Sequence, residues 1–408
     1  MRSPTCTIRK SLLPLGLAER ARAMALQIGQ RLLEDEKNAP IVGCGLGGAS
    51  GMALAFDALA QATADPAYFQ WAHAALRRAA IVDDPSIGLF SGLSGVRAAA
   101  ALFSKRDPRY GKLVEQCDSF IESRLPKTNR RNGEWGFYDV ISGWSGARLA
   151  RGVKEGGSRD RLVDLLVWLM ADDSRWRCVH PRKPGRPREN DQSMAHGIAG
   201  VLATLALTIS EADDESHALL RVQADALVNS SVAFGDRVTW SADRRHPPRG
   251  PSTPSWCYGT PGIASALYST SRLLNDSSLE AFALAALEGD ASLDPADWGL
   301  TDHALCHGTL GAAMVFASAG LLSGRAKLLR AVANVVTYAL ETLERDGGAC
   351  WTLAPDLASK HDAAGELDGA SGVLLALLTL AGDAESSWLL YHGVKPFTLT
   401  RNEAKPTR

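Results

Sequence analysis

The sequence predicts an all-α protein, an α/α toroid of seven inner and seven outer helices, and three observations carry that expectation. First, a Gly-x-x-Gly pair recurs seven times, at Gly48/Gly51, Gly92/Gly95, Gly143/Gly146, Gly197/Gly200, Gly259/Gly262, Gly308/Gly311 and Gly369/Gly372. Self-similarity at roughly 50 residues marks a repeat architecture, and about 50 residues hold two ordinary helices with their loops. Second, each pair is followed by an apolar run such as Val201–Leu207 or Val373–Leu378, rich in the strong helix formers Ala and Leu and apolar on most sides. Third, the segments between them carry a single apolar face, as in Leu328, Leu329, Val332, Val335, Val336, Ala339 and Leu340, or Leu162, Leu165, Leu166 and Leu169. Helices apolar all round belong inside and one-faced helices outside. A closed double ring satisfies both without exposing a terminal repeat. Propeller blades share the period but need β-branched or aromatic strands, and the Ala/Leu pattern speaks against them.

Taken in order, the chain begins with Arg2, Arg9 and Lys10 ahead of the short apolar stretch Leu12–Ala18. Glu19-Arg20-Ala21-Arg22 follows, and the amphipathic pattern runs on to about Leu33, so this is read as a first helix rather than a signal segment. The whole of residues 1–408 is expected to form one domain, its repeats marked by the seven glycine pairs, each glycine allowing backbones to approach closely near an inner helix start. Two stretches interrupt the repeats, Pro181–Arg188 and Arg244–Pro251. Proline and like charge make both of them loops.

Composition excludes several function classes. Net charge is -1 and the pI about 6.8, so no global field recruits nucleic acid or an anionic membrane, and neither basic loop interleaves aromatic residues for base stacking. No apolar run approaches the roughly 18 to 20 residues of a membrane span. Seven scattered cysteines, an odd number in 408 residues, do not form a secreted disulfide framework, and a reducing, cytoplasmic setting is expected.

The chemistry-bearing residues cluster against the glycine pairs. Asp139 lies four residues before Gly143, His196 directly before Gly197, Cys257 two before Gly259, and Cys306 and His307 directly ahead of Gly308. Equivalent loops of a toroid lie at one end of the ring, so these groups are expected to converge on its axis. Cys257, Cys306 and His307 make a three-ligand set for one Zn²⁺ that leaves a fourth tetrahedral position open. Two thiolates make the metal a weak Lewis acid toward carbonyls and a suitable holder of a third thiolate, so the fitting substrate is a thiol. His196 is the candidate proton donor to a developing carbanion or enolate; Asp139 would orient a charged partner or accept a proton. Cys117, on a stripe with Leu113, Phe120 and Ile121, is read as core; Cys44 and His303 are read as structural, and Asp368 as standing outside the site.

At these residues the chain resembles the lanthionine synthetase C family, through Asp139–Gly146, Ala195–Gly200, Trp256-Cys257-Tyr258-Gly259 and Cys306-His307-Gly308 in the family's order. The resemblance implies an α/α toroid with one zinc on Cys257, Cys306 and His307 and with His196 and Asp139 as acid/base residues. It further implies a dehydrated precursor peptide with a leader as substrate, whose cysteine adds to dehydroalanine or dehydrobutyrine to give lanthionine or methyllanthionine. A lanthipeptide dehydratase and an export transporter would be its partners, at the periphery of a membrane-associated synthetase complex. With the first repeat opening near Gly43 a stand-alone cyclase without a fused dehydratase is expected, and the Trp-Cys-Tyr-Gly form is similar to the bacterial cyclases. The same zinc chemistry would serve a relative that adds glutathione to dehydroamino acids, and a non-catalytic, zinc-stabilised peptide-binding scaffold is the alternative from another class. One departure stands out: those cyclases place arginine four residues before the first metal cysteine, where this chain has Thr253, with Arg249 the nearest residue to stand in.

Overall fold

The computed structural model describes residues 11–399 apart from 39, 42, 84, 128–136, 153–158, 177, 181–182, 189, 211–212, 301 and 348–363, with 178–180 and 183–188 described by their backbone. In chain order the helices are α1 (Leu15–Asn38), α2 (Ala49–Thr63), α3 (Pro66–Ala79), α4 (Leu93–Ser104), α5 (Gly111–Arg124), α6 (Trp144–Arg151), α7 (Arg161–Met170), α8 (Ile198–Thr208), α9 (Asp214–Asn229), α10 (Thr260–Leu274), α11 (Ser277–Asp290), α12 (Thr309–Ser323), α13 (Ala326–Arg345) and α14 (Ala370–Ala381). Even-numbered helices are inner and odd-numbered helices outer. The expected all-α toroid of seven and seven stands.

The two kinds of helix are buried as their sequences require. Every residue of α14 is buried, whereas α13 buries Leu328, Ala331, Val332, Val335, Val336, Ala339, Leu340 and Leu343 and exposes its other side. They also start differently. Asp65, Asp160, Asp213 and Asp276 cap the outer helices α3, α7, α9 and α11 through their side chains, but every inner helix starts at a glycine with no side-chain cap. Loop carbonyls take over: the first N–H of α4, α8 and α12 donates to Ser86, Asp191 and Asp302 O at 2.8, 2.8 and 3.2 Å.

Each inner helix packs on the outer helix that follows it, α2 on α3 through to α12 on α13. No outer helix follows α14 among the described residues, and α1 packs on it in that position. Arg22 clasps Asp383 through two bonds of 2.6 and 3.1 Å, Arg20 clasps Glu344, and Leu12 N–H reaches Leu380 O at 3.1 Å. The first helix expected to Leu33 runs to Asn38 and closes the ring.

The loops before the inner helices are joined to one another by backbone hydrogen bonds. Leu46 N–H donates to Leu89 O (3.0 Å), Leu89 to Ile141 O (3.0 Å), Val140 to Ala195 O (3.2 Å) and Met194 to Cys257 O (3.0 Å). Cys257 donates to Cys306 O (3.0 Å), Cys306 to Leu367 O (2.9 Å), and Glu366 returns to Leu46 O (3.1 Å). The seven bonds form a closed circuit. At its level Leu46, Leu89, Val140, Met194, Trp256 and Leu305 are buried, together with Glu366, whose carboxyl burial holds well above the usual range.

The second glycine of each pair makes this crowding possible. A Cβ at Gly262 would overlap the Trp256 carbonyl and come within 2.8 Å of Met194 Cβ. Gly262→Ala is therefore expected to destabilise the protein by about 3 kcal/mol through overpacking at a backbone contact that cannot move aside. Denaturant titration checks this; a change under about 0.5 kcal/mol, the level of an ordinary surface substitution, would reject the packing role.

The turn Ser387–His392 reaches the middle of the ring, where Tyr391 OH donates to Ala98 O (2.9 Å) and Trp256 Nε1 to His392 O (2.9 Å). Burial pushes the His392 imidazole down to about 3 and that of His303 to about 4, so both fold as neutral rings. The unfolded chain protonates near 6.5, so this stability is complete above that pH and is lost as pH falls toward 4. The expected slope is about 1.4 kcal/mol per pH unit for each histidine. Thermal midpoints between pH 7 and 4 test it: His392→Phe, well suited to a site edge-on to Phe90, Trp256 and Trp388, should flatten the loss, and an unchanged slope would count against it.

Two small departures from helix appear among the described residues. Cys178–His180 pairs antiparallel with Lys183–Arg188, and Val232–Phe234 with Arg237–Thr239. The first hairpin corrects part of the Pro181–Arg188 loop expectation, whose residues 181 and 182 lie outside the described set. A two-stranded ribbon leaves one edge of each strand unpaired, and Cys178 and His180 stand opposite Arg188 and Lys183, not opposite the prolines. The Arg244–Pro251 stretch is a loop, as expected, pinned by Arg244 to Asp173 (2.8 Å) and by Arg245 to Asp243 (2.6 Å). No helix is long and apolar enough to cross a membrane among the described residues.

Candidate metal centre and proton-transfer pair

Asp139 lies in the loop before α6 and is almost fully buried. Its Oδ1 accepts the Ser142 N–H at 2.7 Å, which fixes the carboxylate in its own turn, and Oδ2 meets His196 Nδ1 at 2.6 Å. His196, in the loop before α8, donates its N–H to Ser193 Oγ (3.1 Å) and keeps a partly exposed ring. Nδ1 is thus the ring nitrogen turned to Asp139. The Tyr258 ring stands 6.2 Å from the His196 ring, centre to centre.

The backbone circuit ties this pair to the sulfur ligands. Cys257 O accepts from both Met194 and Ala195, the residues preceding His196, while Cys257 N–H donates to Cys306 O. The two thiols share a hydrogen bond. That bond from Cys306, acting against burial, lowers Cys257 to about 7, and the same sharing together with burial raises Cys306 well above the usual thiol range. The pair therefore holds one proton more loosely than free thiols would, each thiol just ahead of a helix N-terminus, α10 or α12, that favours negative charge.

His307 completes the cluster from the edge of the site. Its side chain is 45% exposed, Nε2 lies 3.3 Å from Asp302 Oδ2, and Nδ1 lies 3.4 Å from Asp368 Oδ1. Ligand atoms of Cys306, His307 and Asp368 fall within 4.8 Å of one another, and Cys257 joins that triangle through Cys306. The donors present are thus two sulfurs, one imidazole nitrogen and one carboxylate. Borderline-soft zinc suits two sulfurs and an imidazole, and three protein donors would leave a fourth tetrahedral position open.

Of the five residues singled out in the sequence, the structure pairs Asp139 with His196 and sets Cys306 beside His307, and backbone hydrogen bonds join the Cys257 loop to both the Ala195 and the Cys306 loops. It corrects the reading of Asp368, the seventh loop's counterpart of His196 and His307, which stands in the cluster. Its place directly before Gly369 matches that of His196 and His307 before their own glycines. Tyr258 and Asp302 went unread as site residues. Arg249 and Thr253 are both exposed and form none of the hydrogen bonds or ion pairs of the site, so the structure does not bring Arg249 to Thr253's expected role. His303 is buried with Nδ1 on Thr309 Oγ1 at 2.8 Å, Cys117 is buried with its thiol pushed up to about 12, and Cys44 is buried against Ser91 O. These three are packing residues.

The profile of the family described as lanthionine synthetase C-like protein matches residues 46–392. Among solved structures, the chain is similar to one titled nisin cyclase, with a TM-score of 0.71 at 15% sequence identity, covering 91% of this chain and 98% of that one. That likeness is one of fold. No curated protein sequence matches.

Proposed function

The chain belongs to the lanthionine synthetase C-like family, and from that premise we propose that it is a zinc-dependent lanthipeptide cyclase that closes thioether rings in a dehydrated precursor peptide. The observation that carries the reading is the Asp139–His196 pair, bonded at 2.6 Å, in the loop whose backbone is hydrogen-bonded to that of Cys257. A proton donor and a soft-metal centre share one end of the ring.

Cys257, Cys306 and His307 would hold the ion, with Asp368 at the same cluster. When bound, zinc supplies the charge that keeps a substrate thiol ionised at neutral pH. A free thiol with pKa about 8.5 is a few per cent ionised at pH 7, so ionisation alone accounts for at most about 30-fold, or roughly 2 kcal/mol. Positioning of the thiol against its target must contribute the remainder. The peptide thiolate adds to the β-carbon of dehydroalanine or dehydrobutyrine; a C–S bond forms, and the π electrons pass to the α-carbon and its carbonyl as an enolate. Asp139 holds the His196 ring by Nδ1–H, and the imidazole takes up at Nε2 the proton that the peptide thiol gives up and passes it to the α-carbon, ending neutral. The product is lanthionine or methyllanthionine. Because the substrate must arrive with its Ser or Thr already dehydrated, a dehydratase acts before this protein, and an exporter is the natural consumer of its product.

Incubation with a dehydrated, cysteine-containing peptide tests the proposal. Ring closure leaves the mass unchanged, so it is read as loss of thiols that can be alkylated, with the thioether located by fragmentation. Adding glutathione separates the nearest rival: a glutathione adduct without loss of the peptide's own thiol would reject the cyclase reading.

A further inference from the structure

An imidazole can serve as a metal ligand only through a nitrogen that carries no proton, so something must decide where the proton of a neutral His307 sits. The two ring nitrogens have different surroundings. Nδ1 faces Asp368 at 3.4 Å, in the cluster with the Cys306 thiol, whereas Nε2 faces Oδ2 of Asp302 at 3.3 Å. Asp302 is buried, with its side chain 7% exposed, although His307 itself stands half open to solvent.

Asp302 is also held independently of His307. Its Oδ1 accepts the Ala304 N–H at 2.9 Å, and its backbone carbonyl accepts from Thr309, the first residue of α12, at 3.2 Å. The residue therefore spans the Leu305-Cys306-His307 loop from below, and its two carboxylate oxygens do separate things. Oδ1 builds the turn; Oδ2 is free of that duty and lies 3.3 Å from His307 Nε2. The equivalent aspartate two loops earlier, Asp191, makes the same turn through Oδ1 to Ser193 N–H at 2.8 Å, so the turn explains one oxygen and not the other.

We infer that Asp302 is the positioning residue of the metal centre: its Oδ2 accepts the Nε2–H of His307, fixes the tautomer that leaves Nδ1 as the ligand, and strengthens metal binding without touching the metal. The inference rests on the reading of Cys257, Cys306 and His307 as a zinc site. Carboxylate partners of this kind orient ligand histidines and raise their basicity, and their loss typically weakens metal binding 10- to 100-fold.

Asp302→Asn separates the two duties, because the amide oxygen can still close the turn on Ala304 while its NH₂ offers His307 a donor where an acceptor is needed. With the full-length protein and Zn²⁺ in competition with a chromophoric chelator, the variant is expected to bind about 10- to 100-fold more weakly than wild type. The metal-free thermal midpoint should stay within about 2 °C, the shift of a small surface change. In the metal-free wild type, long-range ¹H–¹⁵N spectra of the imidazoles should show His307 as the Nε2–H tautomer, and in the variant that preference should be lost. Equal zinc affinity in the two proteins would overturn the inference. So would an Nδ1–H tautomer in the wild type, a result that does not depend on the variant folding. Wild-type protein that takes up no zinc would sink the metal reading itself, leaving the tautomer to decide on Asp302.

Discussion

Cys306→Ala is expected to strip zinc from the protein and to abolish ring closure. The substitution is informative because it spares the scaffold. Cys306 enters the backbone circuit through its N–H to Leu367 O and its carbonyl to Cys257 N–H, and alanine keeps both bonds. Only the sulfur goes. Without it, the Cys257 thiol loses the hydrogen bond that holds it near 7, and the remaining donors no longer make a tetrahedral set with two thiolates. The fall in rate should exceed the roughly 30-fold assigned to thiol ionisation, since the thiol also loses its anchor. Metal analysis of the purified protein and the alkylation assay measure the two effects. A variant that lacks zinc and still closes rings at the wild-type rate would remove the metal from the mechanism.

His196→Asn should have the next largest effect, and a different signature. Zinc content is expected to remain at the wild-type level, because His196 is not in the Cys306, His307 and Asp368 cluster. Ring closure should slow by about 10²- to 10⁴-fold, the usual range for a lost general acid. Without a placed donor the enolate takes its proton from water, so the α-carbon, labelled from D₂O in both proteins because the imidazole exchanges with solvent, should show eroded stereochemistry in the variant alone. Asp139→Asn is expected to be milder, since the amide still accepts from Ser142, but Oδ2 no longer holds the ring. Full-rate closure by zinc-loaded His196→Asn would move the acid to another group, Tyr258, whose ring stands 6.2 Å from that of His196, being the next candidate.

Much of the architecture is written in the sequence because it depends on residue size. Each Gly-x-x-Gly pair has to be small where a loop carbonyl meets an inner helix, so the repeat can be counted without knowing the fold. The even burial of α14 and the striped burial of α13 follow from composition in the same way. What backbone atoms do alone leaves no such mark. The seven inter-loop hydrogen bonds involve Leu, Val, Met, Cys and Glu without preference, and nothing in α1 announces that its partner is α14, some 330 residues away. The site divides along the same line. Asp139, His196, Cys257, Cys306 and His307 were legible from their place beside the glycines. Asp302 was not, because an aspartate that makes a turn looks the same whether or not its second oxygen has a further use. The hairpin within 178–188 was hidden by prolines that argue for a loop.

A chain of repeats that ends freely lets small errors of placement add up from one unit to the next, and groups several units apart then drift with respect to each other. The circuit from Leu46 round to Glu366 and back imposes a different condition, since the seven displacements must sum to nothing. Any two loops are reached by two routes, and a shift in one has to be absorbed all the way round. The connections that arrive from the outer helices, by contrast, lie upstream of that condition and differ widely, from 39–48 before α2 to 230–259 before α10. Length can therefore be added at the rim without moving Asp139, His196, Cys257 or Cys306 with respect to one another. The arrangement of the site and the shape of the surface around it can change independently.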